Sequence, residues 1–421
     1  MSKPLLVFQG PVATRSGYGD HARDLLHSIF QLDKYDVKII PTRWGTTPQN
    51  QLDTTTEFGQ RILNNVITHL EKQPDVYVQV TVANEFQTLG KYNIGVTAGV
   101  ETTIAPKDFI DGCNRMDLVL VPSNFTKEVL KSTTFSEVDK RTNQKIRDIA
   151  IVKPIEVLFE GVDIDVFAKS HQTSKDVLEN IESEFNFLFV GHWLSGDLGQ
   201  DRKDVGMLIK TFCTIFKNTP KDKQPGLILK TSTAGFSVMD RESIANKIKE
   251  LTNEHGNQCP PIYLLFGDMT AEELATLYHH PKVKTMISFT KGEGYGRPLA
   301  EFACTGKPIL VSNWSGHVDF LPKENTILLD GELTDIHPSA SNQFLLKESK
   351  WFTVNYSNAA QKLLDVFKNY SKHLESSKGL SSNIKNNFSL NKMTEEMGKI
   401  FGKYVKTTEH IALKLPEIKK L

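Results

Sequence analysis

Short apolar runs, bounded by Gly, Pro, Ser and Asp, alternate along the whole chain with longer stretches of helical composition. That alternation gives parallel strands joined by crossover helices. In the first half it predicts strands over Leu5 to Gln9, Val37 to Ile40, Val76 to Val80, Ile94 to Ala98, Leu118 to Val121 and Ile155 to Phe159, with helices that include Asp20 to Phe30 and Phe58 to Lys72. In the second half it predicts strands over Phe187 to Val190, Leu227 to Lys230, Ile262 to Phe266, Lys284 to Ser288 and Ile309 to Ser312, alternating with helices such as Val205 to Lys217 and Arg241 to Glu254. Two successive α/β sheets follow, closed by helices over roughly Asn358 to Tyr370 and Asn391 to Tyr404. The join falls in the polar stretch after Gly161-Val162-Asp163, so the expected units are 1–170, 171–385 and a last helix with its tail, 386–421. No fixed-period repeat suggests a solenoid.

Composition narrows the class. A chain of 421 residues is too long for one ordinary core. Hydrophobic content of 39% and charged content of 24% are ordinary for a soluble protein. No run approaches the roughly eighteen apolar residues of a membrane span. The apolar run near Met1 reads as a first strand, too short for a signal-peptide core, and a cytoplasmic location is expected. Net charge is zero, so no global field recruits nucleic acid or an anionic membrane. The tail after Lys399, with Lys403, Lys406, Lys414, Lys419 and Lys420 offset by Glu409 and Glu417, reads as a solvated helix and frayed end. Cys113, Cys213, Cys259 and Cys304 are far apart in the chain, and both a disulfide framework and a zinc site are disfavoured.

The chemistry concentrates in residues 291–321, KGEGYGRPLAEFACTGKPILVSNWSGHVDFL. Gly292, Gly294 and Gly296 fall in a β-to-α turn between an apolar strand and the helical stretch Leu299 to Cys304. Glycines let backbone approach a ligand, and first-turn amides with the helix dipole favour an anion such as a diphosphate. Glu293 in the turn and Glu301 on the helix can serve different parts of one elongated ligand. The bland reading is a glycine-rich loop with a solvated glutamate on either side.

The order Glu293, Gly294, Gly296, Pro298, Glu301, Gly306, Pro308, Ile309, Ser315, Gly316 resembles the donor-sugar site of the retaining glycosyltransferases of family 4. The resemblance implies an α/β GT-B fold: two Rossmann-like parallel-sheet domains facing a central cleft, the C-terminal one holding the donor and the N-terminal one the acceptor. It implies transfer of a hexose from a UDP- or GDP-linked donor to an acceptor hydroxyl with retention, no metal and no further cofactor. Glu293 would then face the sugar and its developing positive charge, and Glu301 the ribose. Lys203, with the turn Gly294-Tyr295-Gly296-Arg297, would hold the diphosphate.

Further residues follow on the same terms. The segment Gly191 to Lys203 follows a strand and precedes a helix, at the carboxyl edge where such sheets bind ligands. Lys203 matches a lysine of the family, whereas His192 stands where the family has a basic phosphate ligand. Either His192 donates a weaker hydrogen bond there, or Arg202 or Lys230 moves into the gap, or donor binding is impaired. Gly17 and Gly19, in the loop after the first strand, resemble the family's first glycine-rich loop, with Arg15 and Tyr18 lining the cleft. Glu101 and Thr102 occupy a loop where many members carry a histidine. Ser123 caps a helix, Asp163 and Asp165 sit in the linker where a metal pair has no further support, and His317 stays unassigned. A non-catalytic nucleotide-sugar sensor and a glycosidase are the competing readings. The acceptor, whether carbohydrate, lipid-linked sugar, small metabolite or nucleic acid, is not written in the chain.

Overall fold

The computed structural model describes residues 3–172, 176–233, 237–254 and 256–406. The tail charges Glu409, Lys414, Glu417, Lys419 and Lys420 lie outside them. The first sheet contains β1 (Leu5–Gly10), β2 (Asp36–Pro41), β3 (Val76–Val80), β4 (Tyr92–Val96) and β5 (Leu118–Val121). A surface hairpin of β6 (Phe135–Val138) and β7 (Lys145–Ile149) intervenes before its last strand, β8 (Ile155–Val157). The order is β2-β1-β3-β4-β5-β8, all parallel. The second sheet uses β9 (Asn186–Val190), β10 (Gly226–Lys230), β11 (Ile262–Leu265), β12 (Val283–Ser288), β13 (Ile309–Ser312) and β14 (Ile327–Leu329). Its order, β11-β10-β9-β12-β13-β14, is again parallel throughout. An antiparallel pair, β15 (Gly331–Asp335) and β16 (Lys350–Val354), flanks it.

Burial on both faces explains the uninterrupted apolar runs: β3, β5 and β13 are buried at every position. One core lies between the first sheet, the helix Gly17–Leu32 and the last helix, Leu390–Tyr404, with Leu6, Phe8, Leu25, Ile29 and Val78 against Met393, Met397 and Phe401. The last helix therefore belongs physically to the N-terminal half, tied by Ser28 to Thr394 at 2.8 Å and by Lys403 donating to Glu156 at 2.9 Å. Each sheet reverses its strand order once, between β1 and β3 and between β9 and β12. A crevice opens outside the carboxyl ends of strands at such a switch point.

Several local expectations change. The helix expected over Phe58 to Lys72 runs only Glu57–Asn64, because Asn65 ends it and the β-branched run that follows sends Val66 to bridge Ile39 at the sheet edge. The β6–β7 hairpin, largely exposed and polar, and the three-residue β14 carried no apolar signal long enough to read. Cys213 and Cys259, distant in sequence, lie with sulfurs 3.1 Å apart and both thiols free. Asp163 accepts from the amides of Asp165 and Val166 and so caps a short helix. Among the described residues no helix is long and apolar enough to cross a membrane, and no group of three or more His, Cys, Asp or Glu is placed to hold a metal.

Candidate active site

The ends of β9 and β12 carry the two segments singled out in the sequence, and the second switch point brings them together. After β12 the chain turns through Gly292 to Gly296, and Gly296, at φ 105°, opens the helix Arg297–Ala303. Only glycine takes that backbone without strain. Glu293 is fixed from both sides: its amide donates to Ser315 Oγ at 2.9 Å and its carbonyl accepts from Gly316 N at 2.9 Å. Ser315 itself has φ 80°, a strained value for a non-glycine residue. The Gly316 amide is thus already used on Glu293.

Four charges alternate here. Lys203 donates to Glu293 Oε1, Arg202 reaches Glu293 Oε2 at 3.3 Å, and Arg202 Nε reaches Glu101 Oε2 at 3.0 Å. Arg202 also donates to the Gly292 carbonyl at 2.8 Å. Burial pushes the Glu293 carboxyl up, but Lys203 and Arg202 outweigh it and hold the pKa down to about 2. Burial lowers Lys203, with Glu293 opposing. Glu101 belongs to the first domain, so this chain of charges crosses the cleft.

A second cluster surrounds Arg297. Its guanidinium lies 2.7 Å from Asp24, 3.4 Å from Glu160 and 3.6 Å from Glu301, whose other oxygen accepts from Tyr278 at 3.4 Å. Arg297 thereby reaches across to the helix Gly17–Leu32 and the linker. The pairing of Asp24 and Glu160 with Arg297 emerges only from this fold, since no local spacing links them to it. Burial, opposed by Arg297, raises Asp24 to about 6 and Glu160 and Glu301 to about 7.

These shifts set a pH dependence. Where native pKa values exceed those of the unfolded chain, the native state holds protons that the unfolded state has released, and stability falls as pH rises. For Asp24, Glu160 and Glu301 the window runs from the ordinary carboxylate values, 3.8 and 4.5, to about 7. Glu293 works in the opposite sense: its contribution is complete above 4.5 and is lost as pH falls toward about 2. The contribution of Glu160 is read as a difference: the melting temperature of Glu160→Gln relative to the native chain is expected to rise as pH goes from 4.5 to about 7.

The remaining residues are placed as follows. His192 Nδ1 meets Ser232 Oγ at 3.0 Å; loss of hydration, then repulsion from Lys203 and Arg202, lowers its pKa. Lys230 donates to the Gly267 carbonyl at 2.5 Å. Arg15 donates to Asn50 at 2.8 Å and lies 3.8 Å from Asp268 of the second domain. Tyr18 accepts from the Ala98 amide at 3.0 Å and stacks on Trp44 at 3.9 Å. Thr102 is buried and donates to the Ile104 carbonyl at 3.0 Å, and Tyr295 is buried against Phe320. Gly17 has open space around its Cα, whereas Gly19 abuts Thr14. His317 is buried with Nε2 at 2.7 Å from the Ser312 carbonyl. Ser123 caps its helix and also donates to the Gly294 carbonyl at 2.6 Å, a domain contact the sequence did not announce.

The halves meet closely. A Cβ at Gly292 would lie 2.0 Å from the Glu101 carbonyl oxygen, and one at Gly294 would lie 2.0 Å from that of Ala98. In this conformation both glycines serve backbone contact between domains. The cavity bordered by Lys203, Glu293, Gly296 and Pro298 has a volume of only about 10 Å³, roughly that of one water probe. Any ligand larger than a water molecule enters there only if the halves part. Gly294→Ala is expected to block this closure and enlarge the radius of gyration measured by solution X-ray scattering.

No family model matches the chain, and no curated protein matches it in sequence. Solved structures do match. A glycosyltransferase from Rickettsia africae superposes with a TM-score of 0.62 at 16% identity, covering 97% of this chain and 100% of that one. Sucrose-phosphate synthase from Thermosynechococcus elongatus gives 0.60 at 12%, over 95% and 99%. HepE of Anabaena in complex with UDP-glucose gives 0.58 at 10%, over 95% and 100%. At these identities the likeness establishes the fold, and the fold is GT-B.

Proposed function

We propose that this protein is a retaining, metal-independent glycosyltransferase that moves a hexose from a nucleoside-diphosphate sugar to an acceptor hydroxyl. The observation that carries the reading is the buried pairing of Lys203 and Arg202 with Glu293 at the second sheet's switch point. Breaking a sugar–diphosphate bond places negative charge on the leaving group and positive charge on the anomeric carbon. Two fixed cations beside one fixed carboxylate match that charge separation. Without donor, the carboxylate and cations neutralise one another; with donor, Lys203 and Arg202 turn to the diphosphate and Glu293 faces the sugar. Glu301 holds the ribose. Retention follows from front-face attack, the leaving phosphate oxygen taking the acceptor proton. Closure excludes water, which would otherwise hydrolyse the donor. The structural neighbours crystallised with UDP or UDP-glucose support a nucleotide-sugar donor.

The test is a thermal-shift screen of UDP, GDP and their hexose conjugates, followed by an assay for released nucleoside diphosphate. Binding to the native state raises apparent stability. Stabilisation with release supports the enzyme; stabilisation without release on any acceptor supports a sensor; neither response contradicts both.

A further inference from the structure

The first sheet has its own switch point, between β1 and β3, and a cavity of about 430 Å³ lies there. That volume falls within the roughly 300–1,000 Å³ of small-molecule sites. Gln9 comes from β1, Thr42 and Arg43 follow β2, Gln79 belongs to β3, and Thr81 and Glu85 follow β3. We propose that this cavity is the acceptor subsite and that it takes an uncharged, polyhydroxylated ligand, an unmodified saccharide; the proposal rests on the glycosyltransferase reading.

Three observations select that class. The apolar lining is limited to Val80 and Phe86, both buried, which gives a lipid tail little to bury against. The ionic lining is one cation, Arg43, and one anion, Glu85, so there is no basic track for a polyphosphate backbone. What remains is hydrogen-bonding capacity. Gln9 accepts from Tyr77 at 2.5 Å, which orients its amide, and its nitrogen has no partner among the described residues. The Arg43 guanidinium likewise makes no hydrogen bond or ion pair among them. Free donors beside the Glu85 carboxylate, which accepts from Thr81 at 2.6 Å, suit vicinal hydroxyls that both give and receive. The cavity shares the carboxyl edge of the sheet with the cleft: the Thr81 amide donates to the Val96 carbonyl of β4, two residues before Ala98, against which Gly294 lies.

The probes are glucose, mannose, galactose and their common disaccharides, compared with a polyprenyl phosphate in detergent and a single-stranded oligonucleotide. Binding is followed by saturation-transfer NMR and calorimetry in the full-length protein and in Gln9→Leu and Arg43→Ala. The expected result is saccharide binding that weakens at least about tenfold in both variants, while thermal stabilisation by UDP or GDP is unchanged. Saccharides that fail to bind, or that bind both variants as they bind the native chain, overturn the proposal. A native chain that ignores every nucleotide and nucleotide sugar overturns instead the reading on which the proposal rests.

A separate observation concerns the thiols. Cys213 is buried on the helix Val205–Phe216, and half-buried Cys259 lies 3.1 Å from it. We infer that the two form a reversible disulfide. The Cys259 thiolate attacks a low-molecular-weight disulfide and releases one thiol; Cys213 then displaces the second, so two hydrogens leave the protein as the oxidant is reduced. Treatment with oxidised glutathione should give an intact mass lower by two hydrogens, a Cys213–Cys259 cross-linked peptide reversed by dithiothreitol, and a stable glutathione adduct on Cys259 in Cys213→Ser. A native chain left unreacted, or left as the glutathione adduct without the internal link, overturns the inference.

Discussion

Glu293→Gln is expected to lower turnover by at least about a hundredfold, the scale of removing a group that stabilises transition-state charge. The side chain keeps its size, so the loss is electrostatic. In the structure the glutamate pairs with both Lys203 and Arg202; in the proposed transfer it faces the cationic sugar. Glutamine does neither. Because the diphosphate can still satisfy the two cations, nucleotide affinity in the variant should hold or rise while kcat falls. Release of nucleoside diphosphate under saturating donor reads the first effect, and titration with UDP or GDP reads the second. A near-native kcat removes Glu293 from the mechanism.

Lys291→Met is expected to cost about 3–5 kcal/mol of stability, the range for breaking a buried ion pair from one side. Lys291 is 1% exposed and lies 3.2 Å from Asp204, which is fully buried. Lys291 also donates to Thr353 at 2.9 Å and lies over the Trp351 ring at 5.7 Å. Asp204 accepts from Tyr356 at 2.7 Å and sits at φ 53° just before the helix Val205–Phe216. The pair therefore joins the turn bearing Glu293 to the loop bearing Arg202 and Lys203, a join reinforced by the Lys291 amide donating to the Arg202 carbonyl at 2.7 Å. Removing the lysine strands a buried carboxylate. A lower denaturant midpoint at unchanged slope is the expected measurement, and Asp204→Asn added to Lys291→Met should recover part of the loss.

The sheets were legible because a parallel strand buried on both faces must be apolar at nearly every position, as Asn186–Val190 and Ile309–Ser312 are. Helix ends were less so: Val66 and Ile67 fit an apolar helix face as well as a strand, and nothing local showed that Val66 would leave the helix to bridge Ile39. Within the site, the turn at Gly292 to Gly296 and the Lys203 loop could be read because each follows a strand and precedes a helix. What sequence order could not convey was direction. Arg297 reaches Asp24 and Glu160 because the domains face each other at that point. Gly292 and Gly294 are needed by the opposing backbone of Glu101 and Ala98. Nothing in the sequence linked Lys291 to its partner, 87 residues earlier, which the strand order β9-β12 brings beside it.

A crystal structure with a hydrolysis-resistant 2-fluoro nucleotide sugar would locate the donor outright. Lys203 Nζ is expected to have moved from Glu293 onto a diphosphate oxygen, with the hexose beside Glu293, the ribose at Glu301, and the halves parted far enough to admit them. A ligand bound elsewhere, with the Lys203–Glu293 pair intact, would contradict that expectation.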